Sequence, residues 1–555
     1  MDGQMAPDHP ASVFVPPHEP AFTLLDTAVR HFGTHIALDF LGRRYSYAEL
    51  GRLTNRAAAG LQKLGVAKGV KVGLCLPNCP YFVIMYYAIL KTGGTVVNFN
   101  PLYTEDEIAA QARETETSLI VSLDVAAIQG KIARLVARGL FSRVIVCSMT
   151  AAMPRVKGQL FRLLKQQELA NVPHNAPYMT FETLSAGTDP LVAVHIDPGH
   201  DIAVLQSTGG TTGIPKAAML THTNIVANVR QAQAAMDGLR QGQERVLAVL
   251  PFFHVFAMTA VMNFGLSIGA ELLLLPKLDL KLLMQTLRRR RPTLLPGVPT
   301  LFTALCNAGE TAPRGDFASV KFGISGGAPI AGETVDRFER LTRRPILEGY
   351  GLSEASPVVS FNRAGASRRG SVGQAVAGTV IEIRNPDRPE EILPQGAHGE
   401  ICVRGPQVMR GYYKRPAETA QVFVEGALRT GDIGYLDAEG YLFIVDRIKD
   451  LIFCGGYNVY PRVIEEAAYQ HPAVQDAVAI GVPDDYRGQS PKLFVTLRPG
   501  ASATAQEILA YLQQHLNKIE CPKSVEIRES LPRTLVGKLS KKELVAEEIK
   551  RATEG

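Results

Sequence analysis

The first half of the chain is constrained most by a regular alternation of short β-branched runs with helical patterns. Residues 71–76 (KVGLCL) have the pattern of a buried strand, residues 81–91 that of a helix, and residues 95–98 that of the next strand. Two more strand-like runs, at 118–122 and 143–147, continue the series. Strands that alternate with helices indicate parallel sheets covered by helices. We therefore predict an α/β fold for this part of the chain.

A change in sequence texture after about residue 370 predicts further structural units. Glycine, proline and turn residues become dense there, and short alternating strands follow at 400–404 and 441–445. Beyond Asp446 the chain has an α+β pattern of its own, with two strands and a helix at 477–482, 492–497 and 505–517. A chain of 555 residues also exceeds the roughly 250–300 residues at which single hydrophobic cores stop growing.

These patterns predict the following domain organisation. Residues 1–20 are expected to form a flexible N-terminal arm, and residues 21–445 a large domain that includes a small β-rich subdomain at about 370–445. A short connection at 446–450 leads to a small α+β domain at 451–555. Separate small units of this kind are typical of chains of this length.

Composition and charge exclude several functional classes. The formal net charge is +6 and no basic stripe dominates, so nucleic acid is not an expected partner. A mild positive field nevertheless suits anionic substrates such as nucleotides. The seven cysteines are scattered without zinc spacing, which indicates buried thiols in a reducing compartment. Because the N-terminus also lacks the apolar segment of a signal peptide, we expect a cytoplasmic protein.

One uncharged stretch, residues 246–270, is long enough to cross a bilayer. Proline, histidine, asparagine and glycine residues interrupt it, at Pro251, His254, Asn263, Gly265 and Gly269. A strand-like start at 246–250 also precedes the proline. We therefore predict that this stretch is buried core.

The strongest local motif is the segment 207–216, STGGTTGIPK. Its glycines let the backbone approach a ligand closely and present amide donors, while the serine and threonine hydroxyls and Lys216 add further donors. The spacing of a Walker A loop is absent, and Pro215 precedes the lysine. A flexible surface loop is the alternative. The density of hydroxyls, glycines and charge favours a phosphate cradle.

This segment resembles the phosphate-binding motif of the adenylate-forming superfamily, which includes acyl-CoA synthetases, luciferases and peptide-synthetase adenylation domains. Other motifs of that family follow in its order: YGLSE at 350–354, GYY at 411–413, TGD at 430–432, DRIKD at 446–450, GYNVYP at 456–461 and PRTLVGK at 532–538. The resemblance runs from about residue 22 to residue 544. The amino-acid sequence around 250–257, 347–356, 404–411 and 453–461 is most similar to that of bacterial long-chain fatty acid CoA ligases.

The resemblance implies a two-step reaction. A carboxylate attacks the α-phosphate of ATP and pyrophosphate leaves, and the thiol of CoA then displaces AMP from the acyl adenylate. ATP and CoA are therefore the expected co-substrates, and Mg²⁺ the expected metal, because the first step brings a carboxylate against a polyanion. The family implies a mobile C-terminal domain that rotates about Lys449 in the 446–450 connection.

The resemblance also implies roles for individual residues. The expected catalytic residues are Lys538, His254 and Lys216. The expected nucleotide contacts are Ser207, Thr208, Gly209, Gly210, Thr211, Thr212, Gly213, Lys216, Gly326, Gly327, Ala328, Gly349, Tyr350, Gly351, Ser353, Asp432, Arg447 and Lys538. Mg²⁺ is expected on Thr211 and Glu354, and CoA near Gly455, Gly456 and Tyr457. The acyl pocket is expected to include Phe253, His254, Phe256, Gly297 and Val298.

Several alternatives remain open from the sequence. An aryl-CoA ligase of the 4-coumarate type or a medium-chain acyl-CoA synthetase shares the motifs. A fatty acyl-AMP ligase would stop at the adenylate, and a non-catalytic binding protein would be expected to lack Glu354 or Lys538. The oligomeric state is open, with a homodimer as one option. Contact with the inner face of a membrane is also open because fatty acids partition into membranes, although no amphipathic basic helix requires it.

Overall fold

A computed structural model describes residues 14–173, 175–208, 216–309, 315–454, 457–484, 486–534 and 538–554. The strands are β1 Ile36–Phe40, β2 Arg43–Ser46, β3 Lys71–Leu74, β4 Thr95–Asn98, β5 Leu119–Leu123, β6 Arg143–Cys147, β7 Tyr178–Thr180, β8 Ile202–Ser207, β9 Ala217–Thr221, β10 Arg245–Ala248, β11 Glu271–Leu274, β12 Leu294–Gly297, β13 Phe322–Gly326, β14 Ile346–Gly351, β15 Val358–Phe361, β16 Gln374–Ala375, β17 Val380–Arg384, β18 Gly399–Arg404, β19 Phe423–Val424, β20 Ala427–Leu436, β21 Leu442–Arg447, β22 Ile452–Cys454, β23 Tyr457–Val459, β24 Val474–Asp484, β25 Gly488–Leu497 and β26 Ser524–Ile527.

The α-helices lie between these strands and after them. They are α1 Thr23–Phe32, α2 Tyr47–Lys63, α3 Pro80–Lys91, α4 Glu105–Thr115, α5 Ala126–Ala137, α6 Met149–Ala152, α7 Arg155–Leu164, α8 Phe181–Leu184, α9 His222–Ala235, α10 Val255–Ala257, α11 Phe264–Ser267, α12 Leu280–Arg290, α13 Pro299–Gly309, α14 Gly332–Thr342, α15 Pro416–Val422, α16 Pro461–Tyr469, α17 Ala505–His515 and α18 Lys541–Glu554. A π-helix spans Met258–Asn263, and short 3₁₀ turns span Gln166–Glu168, Ser353–Ala355 and Ile448–Asp450.

Two large, mainly parallel sheets form the first part of the molecule. One sheet has the strand order β7-β6-β5-β3-β4-β8-β9, and the other has the order β16-β15-β14-β13-β12-β10-β11-β1-β2. Strands β3 to β7 pair in parallel, and so do β10 to β14, which confirms the α/β prediction. One continuous hydrophobic core joins both sheets and the helices between them.

Two smaller sheets form the remaining units. Strands β17 to β21 make an antiparallel sheet with its own apolar cluster, which is the β-rich subdomain expected from the sequence. Strands β22 to β26 make the sheet of the C-terminal domain, packed on α16, α17 and α18. The exact limits of the predicted domains stay a prediction, and residues 1–13 of the predicted arm lie outside the described part. Within the arm, Glu19 forms an ion pair with Arg230 of α9 at 3.0 Å.

The uncharged stretch at 246–270 is buried, as expected. It runs through β10, α10, the π-helix and α11, and its large apolar side chains belong to the main core. Among the described residues, no helix combines the length and apolar character needed to cross a bilayer.

Candidate active site

A pocket of about 940 Å³ opens where the large sheets, the β-rich subdomain and the C-terminal domain meet. Its lining includes the carboxyl ends of β8, β13 and β14, where ligands of open α/β sheets usually bind. The β-rich subdomain adds residues of β20 and β21, and the C-terminal domain adds Thr534 and Lys538. Motifs that are hundreds of residues apart in sequence therefore line one cavity.

A carboxylate, a phenol and a guanidinium form a connected group in this pocket. Asp432 lies directly opposite Arg447 in the β20–β21 ladder. The Tyr350 hydroxyl donates to Oδ2 of Asp432 at 2.6 Å, and Nε of Arg447 lies 2.9 Å from Oδ1. The nearby Asp432 charge raises the pKa of Arg447, and burial raises the pKa of Tyr350. Asp432 is thus held as an oriented carboxylate that can accept further hydrogen bonds.

Glu354 is fixed by a partner that the sequence reasoning did not assign. The hydroxyl of Tyr412 donates to Oε1 of Glu354 at 2.8 Å, and both residues line the pocket. Burial raises the pKa of the Glu354 carboxyl. The GYY motif at 411–413 was recognised in the sequence, but no role was assigned to Tyr412. A buried carboxylate with one hydrogen-bond donor retains lone pairs for a metal ion.

The phosphate-loop motif forms the connection between the antiparallel strands β8 and β9. Its two ends are joined by a hydrogen bond from the Thr208 amide to the Lys216 carbonyl at 2.8 Å. Ser207, Thr208 and Lys216 line the pocket. The ammonium of Lys216 lies 3.0 Å from Oε2 of Glu418 and 5.1 Å from the ring centroid of Tyr412. The other predicted residues of this loop, Gly209, Gly210, Thr211, Thr212 and Gly213, lie outside the described residues.

Lys538 reaches the pocket from the C-terminal domain. Its Nζ lies 3.1 Å from the position that a Cβ atom at Gly327 would occupy, and Gly327 has φ +83°, so a glycine there leaves room for the lysine. Burial, followed by the charge of Arg447, lowers the pKa of Lys538 to about 8. The side chain therefore brings a cation to the lining of the cavity at neutral pH.

His254 faces the same cavity in a neutral form. Burial, followed by the charge of Lys538, lowers its pKa to about 3. Its Nδ1 accepts a hydrogen bond from the Phe256 amide at 3.4 Å at the start of α10. Because Nδ1 accepts, the proton of the neutral ring is on Nε2, which can donate to a bound ligand, and the ring is not a second positive charge.

The remaining residues predicted to bind the nucleotide differ in whether they line the pocket. Gly326, Gly327, Gly349, Gly351 and Ser353 line the pocket with those already described. Ala328 does not belong to the lining. Its assignment to the nucleotide site stays a prediction.

Only some of the residues predicted for the acyl pocket line the main pocket. Phe253 and Phe256 line the main pocket with His254. Gly297 faces the core instead, because a Cβ atom there would lie 2.7 Å from Leu301 and 3.1 Å from Phe302. Val298 lines a small cavity of about 20 Å³ beside His254, Gly327 and Lys538. Sequence reasoning missed other apolar residues of the pocket lining, namely Val255, Ala232, Met236, Ala260, Ile324, Val358 and Phe361.

The C-terminal domain is held against the large domain by polar contacts. Oδ2 of Asp446 accepts from the Arg462 amide at 2.9 Å, and Arg498 forms an ion pair with Glu333 of α14 whose Nη1–Oε1 distance is 2.6 Å. Lys449 lies in the 3₁₀ turn at Ile448–Asp450 and lines the pocket. Of the predicted CoA-side residues, Gly455 and Gly456 lie outside the described residues, and Tyr457 is 62% exposed on β23.

Comparison with known proteins identifies the family. The AMP-binding enzyme family matches residues 25–413, and the AMP-binding enzyme C-terminal domain matches residues 463–538. The chain belongs to the AMP-binding enzymes. This confirms the resemblance drawn from the motifs. Residues of both matched regions line the pocket of this AMP-binding enzyme.

Three relatives show how far the similarity extends. A long-chain-fatty-acid–CoA ligase from Bacillus subtilis is 42% identical over 533 residues, covering 95% of this chain and 94% of the relative. A 4-coumarate–CoA ligase 1 from Arabidopsis thaliana is 31% identical over 550 residues, covering 96% and 93%. The crystal structure of ATP-bound MatB from Rhodopseudomonas palustris has a TM-score of 0.82 at 27% identity, covering 95% of this chain and 99% of that one.

Proposed function

We propose that this AMP-binding enzyme activates a long-chain fatty acid with ATP to an acyl adenylate and then transfers the acyl group to CoA. The observation that carries the proposal is a single pocket whose lining combines two kinds of residue. It holds the polar residues Asp432 and Lys538 together with apolar side chains such as Ala232 and Met236. The name of the Bacillus subtilis relative, a long-chain-fatty-acid–CoA ligase, supports the same reaction.

The polar residues suit the first half-reaction. Asp432 would accept hydrogen bonds from the ribose hydroxyls, and the ring of Tyr350 would lie against the base. Lys538 would neutralise charge as the carboxylate approaches the α-phosphate. Preorganised cations in a water-poor site stabilise such charge more than they would in water. His254, being neutral, would hydrogen-bond the carboxylate without competing for the lysine's role.

Mg²⁺ fits the site as a metal shared with the phosphates. Glu354 offers one carboxylate, and the described residues contain no cluster of three or more histidine, cysteine, aspartate or glutamate side chains that would hold a metal alone. Mg²⁺ is commonly bound through one or two carboxylates plus substrate phosphates. When bound, it would neutralise part of the triphosphate charge. Glu354 would hold the metal, and the hydroxyl of Thr211 is the proposed second ligand.

Replacing Glu354 with glutamine should raise the magnesium concentration needed for ATP–pyrophosphate exchange by about tenfold or more, because a neutral amide binds a hard cation less well than a carboxylate does. Exchange is measured across a magnesium titration. Glu339→Gln, an exposed acid of α14, is the matched control and should leave the titration unchanged. An unchanged magnesium requirement in Glu354→Gln would remove this residue from the metal site.

The apolar residues of the lining indicate which acid is used. Ala232, Met236 and Ala260 offer only apolar side chains to a substrate tail, which favours an aliphatic chain. The aryl-CoA ligase is the second candidate, since the Arabidopsis relative carries that name. CoA-thioester release across a graded series of saturated acids and 4-coumarate separates the two. Preference for 4-coumarate over all the saturated acids would replace the fatty acid proposal with the aryl one.

Replacing Ala232 with leucine should shift preference toward shorter acids, because Ala232 lines the pocket and the larger side chain fills pocket volume. We expect kcat/KM to fall by about tenfold or more for the longest acids, with little change for short ones. Ala234→Leu is the matched control, since Ala234 is an exposed residue of the same helix. An equal loss for all acids would show that Ala232 does not border the acyl chain.

A further inference from the structure

One helix of the large domain presents a row of apolar side chains to solvent. In α7 (RVKGQLFRLL), Val156, Leu160, Leu163 and Leu164 are 76%, 52%, 79% and 72% exposed. Their spacing of i, i+4, i+7 and i+8 places them on a single helix face. Large apolar side chains scattered singly on a surface need no explanation, whereas a contiguous row commonly marks an interaction site.

The packing of the opposite face fixes this orientation. A Cβ atom at Gly158 would lie 2.4 Å from the carbonyl oxygen of Thr150, so the helix backbone is seated closely on α6. Phe161 packs against the main core, and Nη2 of Arg162 donates to the Thr150 hydroxyl at 3.0 Å. The helix therefore cannot roll its apolar face inward without losing these contacts.

The border of the apolar face is basic. Helix α7 carries no acidic residue, and Arg155 and Lys157 are exposed; Arg162 is also exposed but lies on the side that packs on α6. Lys165 follows directly and pairs with Glu168 at 2.6 Å. Lys157 donates to the Leu41 carbonyl at 2.8 Å, which holds its ammonium beside the helix. An apolar face bordered by basic residues is the pattern of helices that lie in the plane of a membrane interface. The sequence-based expectation of no amphipathic basic helix for membrane contact was therefore wrong for α7.

We propose that α7 docks this AMP-binding enzyme onto a membrane surface that contains anionic lipid. The leucine and valine side chains would enter the boundary between headgroups and acyl chains, while the basic residues meet lipid phosphates. A second copy of the chain fits less well, because a two-fold contact would bring these basic residues against their own copies. Four side chains of one short helix also cover well under the roughly 800 Å² per partner of a standard interface.

This docking goes beyond the proposed reaction and does not depend on it. If the substrate is a fatty acid, however, docking holds the enzyme where that acid is concentrated. The test therefore uses vesicle binding of the full chain without ATP, CoA or acid, so that its outcome is independent of catalysis.

Co-sedimentation of the full chain is compared on phosphatidylcholine vesicles with and without phosphatidylglycerol. We expect binding to the anionic vesicles, weaker binding at high salt, and little binding to phosphatidylcholine alone. Leu160→Ser combined with Leu163→Ser should weaken binding at least tenfold. Leu278→Ser combined with Ile392→Ser removes exposed apolar side chains elsewhere and should leave binding unchanged. Thermal unfolding of both double variants checks that each is folded.

A charge variant gives an independent result. Arg155→Glu should weaken binding to anionic vesicles several-fold while leaving any residual binding to phosphatidylcholine as it was. Absence of binding by the unaltered chain, or equal binding by the Leu160/Leu163 variant, would overturn the proposal. So would light scattering that shows a dimer in the unaltered chain and a monomer in that variant, since α7 would then be a protein interface.

Discussion

Replacing Lys538 with alanine is expected to lower the rate of acyl-adenylate formation by about 10²–10³, corresponding to about 2.7–4 kcal/mol of transition-state stabilisation. The lysine is the cation that the C-terminal domain brings into the pocket, where burial and Arg447 already lower its pKa to about 8. Thioester formation from supplied acyl-AMP should remain largely intact. ATP–pyrophosphate exchange and CoA-thioester release measure the two half-reactions separately. Equal loss in both would contradict this division of labour.

Two substitutions serve as controls for the Lys538 result. Lys542→Ala removes an exposed lysine four residues further along the chain and should change neither half-reaction. Lys538→Arg retains a charge that proteins do not deprotonate. In the unaltered enzyme, kcat/KM for ATP should decline as the pH rises through about 8, because Lys538 then loses its proton. The arginine variant should lack that decline even where its absolute rate is lower.

Replacing Lys449 with proline should preserve ATP–pyrophosphate exchange and reduce CoA-thioester formation by on the order of tenfold or more. Proline fixes φ near −65°, and a 3₁₀ turn such as Ile448–Asp450 uses φ of about −50 to −70°. Proline is therefore compatible with the orientation that places Lys538 in the pocket. It would resist the large dihedral change that a second orientation of the domain requires. The two half-reactions are measured on the same preparation.

Lys449→Ala is the control for loss of the side chain alone. It should be mild in both half-reactions, because alanine leaves φ free. Retained exchange in Lys449→Pro also shows that the variant is folded. If Lys449→Pro supports both half-reactions at normal rates, rotation about this residue is excluded.

The sequence was sufficient for features set by local patterns and motifs. The strand at 95–98 and the helix predicted at 81–91 match β4 and α3, and both are mainly apolar runs that are buried along their whole length. The family motifs were sufficient to predict that one pocket would contain Asp432, Glu354 and Lys538, and all three line it. Such motifs name the residue types that the chemistry needs, independently of the packing around them.

Features that depend on tertiary packing could not be read in this way. Gly297 is the last residue of strand β12. Which face of that strand borders the pocket depends on its neighbours in the sheet, and the space beside Gly297 is occupied by Phe302. The partnership of Tyr412 with Glu354 joins residues 58 positions apart. The periodicity of α7 shows an apolar face whether that face is buried or exposed. The packing of Gly158, Phe161 and Arg162 decides which of the two it is.

The contact between Arg498 and Glu333 is partly exposed, with side chains 31% and 39% accessible. Ion pairs of this kind typically contribute only about 0–1 kcal/mol. Because such contacts are weak, we expect the domain to change orientation at small energetic cost, with the ligand in the cavity favouring one of the two orientations. Each ligand can shift that balance by no more than its difference in affinity for the two orientations. The order in which substrates and products occupy the cavity would then determine the order of the two domain orientations during turnover, because the protein alone favours neither strongly.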